Sequence, residues 1–206
     1  TMEGTLTHPQ AHVNNPVVAD PIHLYDCCPV SDGAAAVLLT TEEIARELGK
    51  PLVYIAGVGQ ATDTHTLQER SDPTELKAVQ IASQKAFEMA ELTPQDIDVA
   101  ELHDAFTILE IAESEQAGFF PLGQGAKALD AGETRIGGSL PINPSGGLKA
   151  RGHPVGATGV AQVVELVWQL RNEAGEHQVE GATKGFSLNF GGFGNNVLAF
   201  VLRREA

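Results

Sequence analysis

The chain has 206 residues, 42% of them apolar, with 22 glycines and 11 prolines, enough for a sizeable core in one or two domains. Its 27 acidic side chains against 13 basic ones give a formal charge of -14, which argues against a nucleic-acid or anionic-membrane binder. No apolar run is long enough to span a bilayer, no basic-then-apolar signal pattern opens the chain, and the two cysteines, Cys27 and Cys28, are adjacent, so neither a disulfide framework nor metal-ligand spacing exists and a reducing, cytoplasmic setting is expected.

Residues 1–25, with His8, Pro9, His12, Asn14, Asn15 and Pro16, show little periodicity and read as an unanchored tail or loop, the end of an excursion begun earlier. The Asp32-Gly33 turn leads into an apolar run ending at Thr40, expected as a buried strand. Thr41 caps a short helix from Glu42 to Leu48, stopped by Gly49. Leu52–Gly59 reads as a second strand and Gln60–Pro73 as a polar loop. Glu75–Leu92 reads as an amphipathic helix with Leu76, Val79, Ala82, Ala86 and Met89 on one side. Thr93-Pro-Gln-Asp is a capped turn, Ile97–His103 a third strand, and Ile108–Gln116 a helix. Gly118–Ile142 is loop-rich.

A glycine-rich stretch, Asn143–Gly159, then holds five glycines and two prolines around His153 and runs into a helix reaching about Arg171, in which Val160, Val163, Val164, Val167 and Leu170 recur at helical spacing. Thr183–Phe190 and Asn196–Leu202 are the last strands, and the tight Gly191–Gly194 turn between them makes them antiparallel. The sum is an α/β fold, a mixed five-stranded sheet covered by helices.

Two histidines stand where chemistry is usually placed. His153 sits on a constrained turn near a helix N-terminus, where free N–H groups and the dipole lower an imidazole's pKa and suit it to act as a base; a structural turn with a hydrogen-bonded histidine explains the same residues. His103 lies at the C-terminal end of a strand, where ligands bind in α/β sheets, and a histidine simply bonded to Asp104 or to backbone is the competing reading.

Four segments together resemble the C-terminal half of a thiolase, closest to the sterol-carrier-protein-type and archaeal, acetyl-CoA acetyltransferase-like members. Ser31-Asp-Gly-Ala-Ala-Ala-Val-Leu-Leu is similar to the close of that family's N-terminal half. Glu101-Leu-His-Asp-Ala-Phe matches the HDxF motif that replaces NEAF in some members. Asn143–Gly159 matches the highly specific GGxxxxGHPxGATG loop, and Leu188-Asn-Phe-Gly-Gly stands where most members carry CxG. The resemblance implies a division into residues 1–25 as loop remnant, 26–50 as the end of the N-terminal half and 51–206 as the C-terminal domain.

It also implies acyl-CoA chemistry: Claisen condensation, or thiolytic cleavage of a 3-ketoacyl-CoA, through an acyl-enzyme on a cysteine of the N-terminal half. His153 would be the base for that cysteine. His103 would help form an oxyanion hole, and Asn189 would be a further polar donor. Ser145, Gly146, Gly147 and Gly156 would lie along coenzyme A, a substrate rather than a resident cofactor, and no metal is implied. Two departures stand out: Asn189 replaces the CxG cysteine, and Ala105 stands where HDCF members have a cysteine, so both usual second proton-transfer groups are missing. Cys27 and Cys28 lie outside the nucleophile motif. The implied partners are an N-terminal-half subunit within a homo- or hetero-oligomer. The alternatives are a thiolase-like retro-aldolase acting on a bulky, steroid-type acyl-CoA with a zinc-ribbon/OB-fold partner, and a non-catalytic scaffold subunit.

Overall fold

The structure, a computed structural model, describes residues 15–205, so His8, Pro9, His12 and Asn14 lie outside the described residues. The rest of the supposed tail is tied down. Strands β1 (Val17–Ala19) and β2 (Ile22–His23) pair antiparallel, Tyr25 donates its backbone N–H to Asn15 Oδ1 at 2.7 Å, and the Thr107 hydroxyl donates to Asp26 Oδ1 at 3.0 Å. Polar side-chain bonds hold this segment, and hydrophobic periodicity does not register them.

Helix α1 (Glu42–Glu47) forms where expected and ends beside Gly49 at φ 66°, but the Thr41 side chain makes no capping hydrogen bond. The apolar run before it does not form the expected strand. Residues 28–41 carry no regular structure, and Leu38 and Leu39 are 82% and 71% exposed. A strand needs a neighbour to pair its backbone groups, and none lies alongside among the described residues. The main sheet therefore has four strands rather than five: β3 (Val53–Thr62), β4 (Val99–Glu101), β5 (Lys184–Gly191) and β6 (Asn196–Arg204), in the order β3-β6-β5-β4. Only β4 and β5 are parallel, and the β5–β6 hairpin is antiparallel as its tight turn required.

Alternation along the strands sorts two cores. Ala100, Leu102, Phe186, Leu188 and Val201 join helix α2 (Lys77–Ala90) in one, while Val99 and Leu202 join Leu166 and Leu170 in the other. Helix α2 lies so close to β3 that a Cβ on Gly57 or Gly59 would collide with the carbonyl oxygens of Ala86 and Ala82. Its buried stripe runs through Val79, Ala82, Ala86, Phe87 and Ala90, and Met89, expected on that side, falls off its edge and is 63% exposed. The Thr93 turn is closed as predicted, with Asp96 Oδ2 accepting the Thr93 N–H at 2.8 Å and its hydroxyl at 2.7 Å.

Helix α3 (Thr107–Gln116) follows β4. Two short helices occupy stretches expected as loop: α4 (Gly125–Asp130) and, inside the glycine-rich segment, α5 (Gly147–Arg151). Helix α6 (Thr158–Arg171) crosses β4 and β5. Its valines are only half-buried. The fully buried stripe is Thr158, Gln162, Glu165, Leu166, Gln169 and Leu170, four of them polar. Those polar groups can be buried because they are bonded inside: Gln169 Nε2 donates to His177 O at 2.9 Å while its Oε1 accepts the Val179 N–H at 2.7 Å.

Candidate active site

Strand β4 ends at Glu101, and two side chains from elsewhere catch the backbone as it leaves the sheet. Asn143 Oδ1 accepts the Leu102 N–H at 2.7 Å, and Glu113 Oε2 on α3 accepts the His103 N–H at 2.7 Å. Asn143 itself adopts a left-handed φ of 53° and donates from Nδ2 to Glu110 Oε2 at 3.0 Å. Cys28 donates its N–H to Ala105 O at 2.9 Å, so the residue 27–28 segment braces the same turn from the other side. His103 is thus placed by its main chain before its ring makes any contact, and it is 95% buried, with 5% of its surface exposed.

The glycine-rich loop wraps the same strand end. The Ser145 hydroxyl donates to Glu101 Oε2 at 2.9 Å, and Leu148 donates its N–H to Asp104 Oδ1 at 2.8 Å. Gly147, at φ 60°, has no room for a Cβ because the Asp104 carboxylate fills the space. Arg151 Nη2 lies 3.8 Å from Glu101 Oε2. Gly152 then turns the chain at φ 93°, with the Ser31 hydroxyl 2.6 Å from where its Cβ would stand, and the His153 N–H donates to that hydroxyl at 3.3 Å. His153 Nδ1 meets Thr158 Oγ1 at 2.7 Å. The Thr158 hydroxyl donates to Pro154 O at 3.1 Å, which leaves Oγ1 to accept from Nδ1–H. In that arrangement Nε2 of His153 carries a free lone pair.

The two rings meet edge to face, centroids 4.9 Å apart, with Phe190 4.8 Å from His103 on another side. Asn189, on β5, puts Nδ2 2.8 Å from His103 Nδ1. Burial, and then the neighbouring His153, push the His103 pKa down to about 3. Burial, and then the Arg151 charge, lower that of His153 below the ordinary histidine value. Both rings are therefore neutral at neutral pH. Carboxyls around them move the other way: burial, against the pull of Arg151 and Ser145, raises Glu101 to about 8, and burial raises Glu110 to about 7. A neutral base facing a neutral ring, among carboxyls whose ionisation burial opposes, suits chemistry in which negative charge appears on the substrate.

The structure brings His103, His153 and Asn189 together. Ser145 turns toward Glu101 and Gly147 toward Asp104, Gly146 closes a turn onto the Asn143 carbonyl, and Gly156 lies on an exposed groove beside Ser31, Asp32 and Gly33. Burial raises the Cys28 thiol, leaving it protonated at neutral pH. Among the described residues no three His, Cys, Asp or Glu side chains converge as metal ligands, and no helix is long and apolar enough to cross a membrane. Sequence reasoning missed Gln162, Thr158, Glu113 and Ser31. The one available signal was the four-residue spacing of two polar residues, Thr158 and Gln162, in a valine-rich helix.

Comparison with known proteins bears on the family and the fold. A family model described as thiolase C-terminal domain-like matches residues 59–204. An acetyl-CoA acetyltransferase of Methanothermobacter thermautotrophicus is 50% identical over 192 residues, which cover 93% of this chain and 50% of that protein. Human sterol carrier protein 2 is 42% identical over 179 residues, 84% of this chain and 33% of its own. A benzoylsuccinyl-CoA thiolase subunit of Thauera aromatica is 38% identical over 173 residues, 82% of this chain and 44% of its own. Among solved structures, the Ltp2-ChsH2(DUF35) aldolase superposes with a TM-score of 0.82 at 26% identity, covering 98% of this chain and 55% of that one. The chain spans half or less of the length of these curated relatives.

Proposed function

This chain belongs to the thiolase family, and on that premise we propose that it supplies the base and the oxyanion donors of an acyl-CoA acyltransferase, with the nucleophilic cysteine brought by the complementary N-terminal half. The observation that carries the reading is the pair of neutral histidines in edge contact, His153 with a bare Nε2 and His103 with its Nδ1 already engaged. His153 would take the proton of the incoming cysteine thiol, and later that of a second thiol or an acyl-CoA α-carbon. His103 would hydrogen-bond the thioester oxygen as charge builds on it. Coenzyme A would enter as a substrate along the Ser145–Gly147 and Gly156 loop, with no resident cofactor. The overall conversion would be Claisen condensation or thiolytic cleavage of a 3-ketoacyl-CoA.

Residues 26–50 belong in this reading to the close of the N-terminal half and 51–206 to the C-terminal domain. The exposed apolar strip through Val37, Leu38, Leu39, Ile44 and Leu48 supports coverage by that other half, within a homo- or hetero-oligomer in a reducing cytoplasm. The test is cleavage of acetoacetyl-CoA by the chain assembled with a cysteine-bearing N-terminal half. His153→Ala should cost about 100-fold or more in turnover, the scale of general-base catalysis. Full turnover by that variant would remove His153 from the reaction.

The likeness to an aldolase, together with an asparagine where a proton-carrying cysteine stands in most thiolases, supports a second reading: a retro-aldol cleavage of a bulky acyl-CoA with a zinc-ribbon/OB-fold partner. The two separate on stoichiometry, since only thiolysis consumes one coenzyme A per bond broken.

A further inference from the structure

Gln162 is wholly buried on α6, one turn beyond Thr158, and nothing in the reaction proposed above calls for it. Its amide nitrogen donates to two main-chain carbonyls, Leu188 O at 3.0 Å and Glu101 O at 3.3 Å. A carbonyl oxygen can only accept, so the Gln162 amide has a single satisfactory orientation, with Nε2 toward the sheet and Oε1 away from it. Oε1 faces Asn189 Nδ2 at 3.1 Å, and the same Nδ2 lies 2.8 Å from His103 Nδ1. Asn189 therefore points its NH2 group at both neighbours. One hydrogen goes to Gln162 Oε1 and the other to the lone pair of His103 Nδ1. Gly159 leaves room for this, since a Cβ there would stand 3.3 Å from Asn189 Cγ.

We propose that Gln162 is a positioning residue which, through Asn189, fixes His103 in the tautomer protonated on Nε2, so that the nitrogen left free in the site is an N–H donor. The orientation runs from two backbone carbonyls through two amides to one ring. Asn189 then has a defined task in place of the cysteine it replaces: it moves no proton, and it decides where the proton of His103 stays. Helix α6 holds both histidines in opposite states from successive turns. Thr158 keeps the proton of His153 on Nδ1 and leaves Nε2 bare, while Gln162 does the reverse for His103.

The inference rests on the thiolase reading only for what the donor is used for; the tautomer is a property of the chain and is measured without turnover. The experiment is a pair of long-range proton–nitrogen correlation spectra of the 206-residue chain labelled with 15N-histidine, at neutral pH, with His103 assigned by its loss in His103→Gln. Wild-type His103 should show a bare Nδ1 and a protonated Nε2, with a preference of roughly 10-fold or more, the scale of one mispaired buried polar contact. Gln162→Met should convert it to a tautomer mixture. Asn189→Asp, which keeps the shape but can only accept, should move the proton to Nδ1.

A mixed or Nδ1-protonated ring in the wild type overturns the proposal, and so does a Gln162→Met chain that folds and keeps the wild-type signature. If Gln162→Met does not fold, the Asn189→Asp shift decides alone. In the assembled enzyme both variants should lower kcat by about 10-fold or more with little change in KM, as loss of an oxyanion donor does. Expected spectra in a protein that cleaves no acyl-CoA would defeat the functional reading and leave the tautomer assignment standing.

Discussion

Helices α2 and α6 cover different parts of one four-stranded sheet, and they are built on opposite terms. Beneath α2 the buried side chains are apolar except for Ser83, and glycines at 57 and 59 bring the helix backbone down onto β3. Beneath α6, Gln162, Glu165 and Gln169 are buried alongside Leu166 and Leu170, and the facing strand positions include Glu101 and Asn189. Strand alternation makes the division: on β4 and β5 the residues Ala100, Leu102, Phe186 and Leu188 point to the first side, and Val99, Glu101 and Asn189 to the second. Shape decides the packing of the first side. Hydrogen-bond direction decides the second, and that is the side on which the two histidines are held.

If that division is right, truncating a ring on the α2 side should be the most costly change to stability and should leave the chemistry alone. Phe186 has no exposed surface and lies between Phe87, stacked at 5.1 Å, and Phe119 at 5.2 Å. Phe186→Ala should lose about 3–5 kcal/mol in urea unfolding, with turnover per folded molecule unchanged. A loss under about 1 kcal/mol would mean that this core is loosely packed. On the other side the informative change swaps polar for apolar at constant size. Gln169→Leu strands the Val179 N–H and the His177 carbonyl, and should cost about 1–3 kcal/mol. The matching control on α2 is Ser83→Ala. The Ser83 hydroxyl is buried without a partner, so its removal should be neutral or stabilising. Equal losses at both positions would erase the distinction.

Residues that act through contiguous chain were readable from the sequence, and those that act across it were not. The His153 loop and the His103 strand end are local motifs, and the structure sets them side by side. The antiparallel hairpin of β5 and β6 also follows from local punctuation, whereas the number of strands and their order depend on pairings that no local signal shows. Helix α5 escaped notice because five residues in a glycine-rich loop show no period. The run ending at Thr40 looked like a strand because it is apolar and follows the Asp32-Gly33 turn, yet strand formation depends on a neighbour that composition cannot supply. The valine stripe of α6 pointed to the wrong face. Hydrophobicity marks which groups avoid water, whereas Gln162 is buried because two carbonyls, 61 and 26 residues away in sequence, wait for its amide.

The smallest expected effect probes the polar side through pH. Glu113 is fully buried on α3, with one carboxyl oxygen holding the His103 N–H and the other unpartnered. Burial raises its pKa well above the ordinary value, and the neighbouring Asp104 and Glu110 push the same way. Because the folded value exceeds the unfolded one, the stability linked to this proton is fully present below about pH 4.5 and is lost as pH rises toward the folded value. Glu110 and Glu101 act in the same direction up to about 7 and about 8, while His103, lowered to about 3, acts oppositely as pH falls below its unfolded value. The total slope mixes these groups, but the difference between wild type and Glu113→Gln isolates one of them. The glutamine still accepts the His103 N–H and has no proton to lose. Near pH 5 the two proteins should unfold at the same urea concentration. Toward pH 8 the variant should become the more stable, the gap widening by at most about 1.4 kcal/mol per pH unit. Parallel stability curves across that range would show that Glu113 is ionised in the folded protein, and that the shell around the two histidines carries a negative charge.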